Sequence, residues 1–195
     1  MSKKLNLSLD GKIERNIRDW FRDHKATFTK TESGERLYWG KGDRGDWVYR
    51  IIYDILDERY LVVRGDLGCA VYWWSGRIGW AFLADCNYGY FAEKCEASEN
   101  GKGHREWDSE YAEEWWQDAK KELSPEKIAL AKDLDVEGAL CNEREWHDFL
   151  VSNGQNIFGD DWIEVGNFGD RVSVRCRAHL IGIQMAVAQQ KEKSA

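Results

Sequence analysis

Between residues 26 and 75 the chain offers five short runs rich in β-branched and aromatic residues, at 26–31, 36–40, 46–55, 60–64 and 69–74, with only four or five residues between them. A parallel crossover needs a dozen residues or more, so connections this short permit hairpins and little else. The intervening segments carry hairpin chemistry: Glu32-Ser33-Gly34-Glu35, Lys41-Gly42-Asp43-Arg44-Gly45, Asp57-Glu58-Arg59 and Gly65-Asp66-Leu67-Gly68. The region reads as an antiparallel β-meander of four to five strands. In its longest run Trp47, Tyr49, Ile51, Tyr53 and Ile55 share one face, and Val48, Arg50, Ile52 and Asp54 share the other, which is partly wet. Trp73 and Trp74 adjoin on a strand, so one indole belongs to the core and the other points away.

The flanks read as helix. Ile13, Ile17, Trp20 and Phe21 recur at helical spacing and predict an amphipathic helix over about 9–24, with Arg15, Arg18, Arg22 and Lys25 on a solvated face. Short apolar segments at 79–85 and 88–97 precede a polar loop at 98–105 and a helix over 108–123. Ser124 as N-cap and Pro125 in the first turn restart a helix, and Asn142 with Glu145 three residues on opens another. A short strand is expected at 161–167, then a final helix over 171–191 with Cys176, Leu180, Ile183 and Val187 inward. The expectation is one α+β domain over 1–195: an N-terminal helix (1–25), an antiparallel sheet packed against several helices (26–75) and a mainly helical part (79–195).

Composition narrows the function classes. Eleven Trp, eight Tyr and seven Phe oppose disorder. No apolar run approaches the roughly 20 residues of a membrane span, and no apolar segment follows the basic N-terminus as a secretory signal requires. Cys69, Cys86, Cys95, Cys141 and Cys176 are odd in number and scattered, which reads as reduced thiols in a cytoplasm. The net charge of −7 is unevenly spread. Residues 1–30 hold eight Lys/Arg against four Asp/Glu, a net of +4; residues 91–165 hold eight against 20, a net of −12; residues 166–195 hold five against two, a net of +3. Such an acidic middle argues against direct nucleic-acid binding and for a cationic partner.

The short motifs yield mostly turns. Gly40-Lys41-Gly42-Asp43-Arg44-Gly45 has the spacing of a dinucleotide loop, but strand-like Trp47-Val48-Tyr49 follows it instead of a helix N-terminus, so it reads as a hairpin loop. Arg-Gly-Asp at 44–46 and at 64–66 reads as turn chemistry. His24, His104, His147 and His179 are far apart and no C-x-x-C occurs, so neither a metal site nor a cofactor is expected. No G-x-S-x-G elbow, H-E-x-x-H or Walker loop is present, which favours binding over catalysis.

Residues 106–118 carry the strongest signal. On a helix Tyr111, Trp115 and Ala119 form an apolar stripe, with Trp107 just before the cap. Glu106, Glu110, Glu113 and Glu114 gather on another face, with Trp116 off the stripe. Asp108 and Glu110 suit a helix start whatever the function, whereas Glu110 and Glu114 are like charges four apart and oppose the helix. Carboxylates beside an outward indole read as a partner-binding surface, Trp being enriched at interface hot spots. An alternative ligand site lies at the strand ends, where Arg50, Tyr72, Trp74 and Arg77 supply aromatic and basic groups for a base and a phosphate.

The stretch Tyr60-Leu61-Val62-Val63-Arg64-Gly65-Asp66-Leu67-Gly68-Cys69-Ala70-Val71-Tyr72, followed by Phe82-Leu83-Ala84-Asp85-Cys86-Asn87-Tyr88-Gly89-Tyr90-Phe91-Ala92-Glu93-Lys94-Cys95-Glu96-Ala97-Ser98, resembles small phage and prophage accessory proteins over about residues 45–110. The resemblance implies a setting in which many small proteins inhibit host defence by binding, anti-CRISPR proteins among them. The expectation is therefore a phage-type inhibitor that binds a host defence protein in the host cytoplasm. Two other readings stand beside it: a binder or hydrolase of a nucleotide signal, and a phage structural or assembly component, which would self-associate.

Overall fold

Apolar and polar residues alternate through the first half of the chain, and the strands follow them. The computed structural model describes residues 3–42, 48–99 and 104–194. Its strands are β1 (Lys25–Thr31), β2 (Gly34–Gly40), β3 (Ile51–Leu56), β4 (Tyr60–Gly65), β5 (Ala70–Trp73) and β6 (Cys95–Ser98). They pair in that order, every pair antiparallel, with Phe28 opposite Leu37, Leu37 opposite Tyr53, Tyr53 opposite Val63 and Val63 opposite Ala70. The protein is α+β: a six-stranded antiparallel meander with a helical C-terminal half.

The helices among the described residues are α1 (Lys3–Trp20), α2 (Trp80–Ala84), α3 (Tyr88–Glu93), α4 (Ser109–Ala119), α5 (Pro125–Asp133), α6 (Val136–Ala139), α7 (Glu143–Phe158) and α8 (Val174–Ser194). No helix among the described residues is long and apolar enough to cross a membrane. Two further strands, β7 (Arg105–Trp107) and β8 (Asp170–Val172), pair with each other.

Four local expectations change. The first helix starts at Lys3, earlier than the 9–24 reading. The apolar segment at 88–97 splits into α3 and β6, because Trp73 N–H takes the Lys94 carbonyl at 2.8 Å and draws the chain onto the sheet. Tyr49 adopts a left-handed φ of 63°, so β3 begins at Ile51 and not at 46. The strand expected at 161–167 is a 3-10 segment, Gly159–Asn167. There Trp162 lies against Gly154, where an added Cβ would stand 3.1 Å from the Trp162 side chain. The hairpin reading of 40–45, the first Arg-Gly-Asp and the facing of Trp47 fall largely on residues 43–47, outside the described residues.

Backbone contacts divide the chain into two compact units. The sheet unit takes Asn6–His104 and Val172–Ala195. The helical unit takes Arg105–Arg171, with the chain start up to Leu5. In the sheet unit Leu37, Ile51, Tyr53, Leu61 and Tyr72 of one sheet face join Ile17 and Phe21 of α1 and Leu180, Ile181 and Ile183 of α8 in a single core. The inward set expected for the last helix, Cys176, Leu180, Ile183 and Val187, is buried. Of the adjacent indoles, Trp74 is buried and Trp73 is exposed.

On the other sheet face the Asp54 carboxylate is buried, held between Arg36 at 2.6 Å and Arg64 at 3.0 Å on the neighbouring strands. The carboxylate is satisfied by cross-strand partners on an otherwise partly wet face.

The helical unit has its own core of Ala112, Trp116, Ala131, Val136, Leu140, Trp146, Phe149, Leu150, Ile157 and Val165. Trp146 stacks on Phe149 and donates its indole N–H to the Val165 carbonyl at 3.0 Å, and Trp107 donates to the Leu140 carbonyl at 3.1 Å. Buried indoles of this kind combine large apolar area with one satisfied donor.

Candidate functional site

The acidic helix is built from its cap. Asp108 precedes α4 in extended backbone, and its Oδ1 accepts the Tyr111 N–H at 2.9 Å. Its other oxygen meets Arg171 at 2.6 Å. Asp108 is thus committed to holding the helix, as N-cap chemistry requires. Beyond it Glu110, Glu113 and Gln117 are exposed. Their spacing of three and four residues puts them on one stripe facing water.

The remaining expected members differ. Glu106 lies on β7, half-buried. Glu114 is half-buried as well, and its Oε2 is enclosed with no hydrogen-bond partner. Trp116 is a correction: only 2% of its surface is exposed, and it belongs to the core. The apolar stripe is wider than one row of residues, so Ala112 and Trp116 share it with Tyr111, Trp115 and Ala119. Trp115 stacks on Phe168 at 3.5 Å between centroids, and both neighbouring indoles face inward. The open carboxylates are Glu110 and Glu113.

Trp116 also floors a cleft of about 410 Å3, lined by Trp116 and Lys120 at the end of α4, Ile128, Ala131 and Lys132 of α5, and Asp135, Val136 and Glu137 at α6. Lys120 Nζ bonds Glu137 at 3.1 Å and lies 5.5 Å from the Trp116 ring centroid. Asp135 caps α6 by accepting the Gly138 N–H at 3.2 Å. Residues 105–171 carry 18 Asp/Glu against seven Lys/Arg, a net of −11, so the cleft sits in a strongly negative segment.

The alternative ligand set is not brought together. Tyr72 is buried, its hydroxyl 2.9 Å from His179 Nδ1 and 3.7 Å from Cys176 Sγ. Trp74 is buried against Phe82 and Phe91. Arg77 pairs with Glu58 at 2.9 Å at the β3–β4 turn, while Arg50 precedes β3 at the opposite end of the strand. The length of β3 separates these two ends by roughly 20 Å.

The second Arg-Gly-Asp is explained by the sheet. Gly65 has a φ of +149°, and a Cβ there would lie 2.1 Å from the Arg50 carbonyl. Asp66 then accepts the Arg50 N–H at 2.9 Å and closes the turn.

Burial pushes the core histidine and thiols toward their neutral forms. Burial lowers His179 to about 4, with Leu67 backbone partly opposing. Burial raises the Cys176 thiol to about 12 and also raises Cys86 and Cys95. Cys141 is raised chiefly by its hydrogen bond to Glu145 at 2.7 Å. These four thiols are pushed away from the thiolate form that nucleophilic catalysis uses. All five cysteines are free, and among the described residues no three His, Cys, Asp or Glu side chains are grouped to hold a metal ion.

The cleft escapes sequence reasoning because its lining comes from three helix ends, none with a motif. Ile128 is the available signal: an apolar residue left exposed on a short helix whose one buried residue is Ala131. Comparison with protein-family models, curated proteins and solved structures finds no match.

Proposed function

We propose that this protein acts by binding, and that its helical unit presents an acidic face to a protein with a cationic surface. The observation that supports the reading is the segregation of charge: −11 over residues 105–171, with Glu110 and Glu113 open on α4, against +2 for the sheet unit, where 19 Lys/Arg meet 17 Asp/Glu. Protein sites built for nucleic-acid phosphates are lined with Lys and Arg, and an acidic helix face competes for them. The phage-type setting gives such a competitor a target, a host defence protein that handles nucleic acid.

The test is a low-salt pull-down from bacterial lysate with the full chain and with the double variant Glu110→Lys/Glu113→Lys. The native chain is expected to retain a nucleic-acid-handling defence protein that duplex DNA displaces and added salt releases. The folded double variant should lose it. Retention of the same protein by the variant, or recovery of no defence protein, overturns the reading.

A further inference from the structure

The cleft beside the acidic face narrows the kind of partner, an inference that rests on the binding reading above. Its interior is apolar: the Trp116 indole, Ile128, Ala131 and Val136. Its volume of about 410 Å3 falls within the range of natural ligand pockets. Its charged groups stand in balance. Lys120 is neutralised by Glu137, Asp135 is engaged at the start of α6, and Lys132 contributes one further ammonium.

Three occupants can be compared by charge. A small organic anion would enter against the −11 of the surrounding segment and meet the carboxylates of Asp135 and Glu137. A bare cation would meet Lys120 and Lys132 at the cleft itself. An apolar group meets neither objection inside, and cations flanking it find the acidic surface outside. Glu113, Trp116 and Lys120 follow one another at spacings of three and four along α4, so the open Glu113 carboxylate lies one turn from the cleft floor. Ile128, 37% exposed, carries the apolar lining out to the surface of α5.

We infer that the cleft receives the apolar anchor of a basic amphipathic segment of the partner, with the flanking Lys and Arg side chains of that segment paired to carboxylates such as Glu113. This is the helix-in-groove mode of recognition, in which one or two large apolar side chains fix the register and charge supplies attraction.

The experiment titrates the full chain with two synthetic helical peptides of equal charge, one patterned with a Leu face and Lys flanks, the other with every Leu replaced by Ala. The Leu peptide is expected to bind about tenfold or more tightly than the Ala peptide. Ile128→Gln should abolish that difference and leave the Ala peptide unaffected. Val151→Gln, which changes an exposed apolar residue of α7 outside the cleft, should leave both affinities unchanged. Circular dichroism melts check folding, and Ile128→Ala reads the same contact if the Gln variant is unstable. Equal affinity for the two peptides, or a Leu preference that survives Ile128 substitution, overturns the anchor inference and leaves the acidic-face reading standing. Binding of neither peptide at low salt overturns both.

Discussion

The sheet unit and the helical unit solve the same problem by different means. In the sheet unit the backbone is satisfied by register: five antiparallel pairings carry it, and in its core Tyr53 donates to the His179 carbonyl at 3.0 Å and Tyr72 meets His179 Nδ1. In the helical unit four helices each begin on a side-chain cap: Asp108, Ser124, Asp135 and Asn142. Part of the unit's acidity is therefore architectural. Asp108 and Asp135 hold helix starts, whereas Glu110 and Glu113 stand open to water and remain available to a partner. Net charge alone does not separate the two kinds of carboxylate; the cap bonds do.

The contrast between the units breaks most sharply at Trp146. Trp146→Ala removes a fully buried indole and its bond to Val165, at a cost of about 3–5 kcal/mol. Amide hydrogen exchange should show protection lost over residues 105–171 and kept in β2 to β5. Equal loss in both would mean that the two cores stand or fall together.

A second test acts on the sheet unit. His179 titrates at an ordinary 6.5 when unfolded and at about 4 when buried, so folding is opposed once the unfolded chain takes up the proton. The associated stability is intact above pH 6.5 and is lost as pH falls toward 4, by roughly 3 kcal/mol at the low end. Thermal melts of His179→Gln across this window should show a flatter pH dependence than the native chain. An unchanged slope would remove His179 from the account.

The smallest effect concerns the helix caps. Asn142→Ala should cost about 1 kcal/mol, because its oxygen accepts the Glu145 N–H at 3.0 Å. Ser124→Ala should cost less, its cap bond being 3.4 Å long. Denaturant melts that reverse this order would show that cap geometry does not rank these helix starts.

What is legible in the sequence is what is local. The hairpin turns name themselves through Ser33-Gly34 and Gly65-Asp66, and Ser124-Pro125 and Asn142–Glu145 mark helix starts that the hydrogen bonds bear out. β6 stays hidden because Cys95-Glu96-Ala97-Ser98 has no strand-like alternation and pairs only through a shifted register with β5. Trp162, Ile163 and Val165 look like a strand, yet close packing of Trp162 on Gly154 favours the 3-10 segment. At the candidate site the helical spacing turns Glu110 and Glu113 outward, and both are exposed. The same spacing puts Trp116 on the wrong side, because a single row of residues stands in for a broad apolar stripe. The cleft has no sequence signature, since it exists only once α4, α5 and α6 meet.

The hydrogen bond between Ser173 N–H and the His104 carbonyl, 2.8 Å long, joins two backbone positions of the sheet unit that are distant in sequence. Everything between them is an excursion that leaves and returns at one point. A short bridge across that point could replace the whole excursion without asking any strand of the meander to change its neighbour. Residues 105–171 thus have the connectivity of an insertion between two positions of the sheet unit.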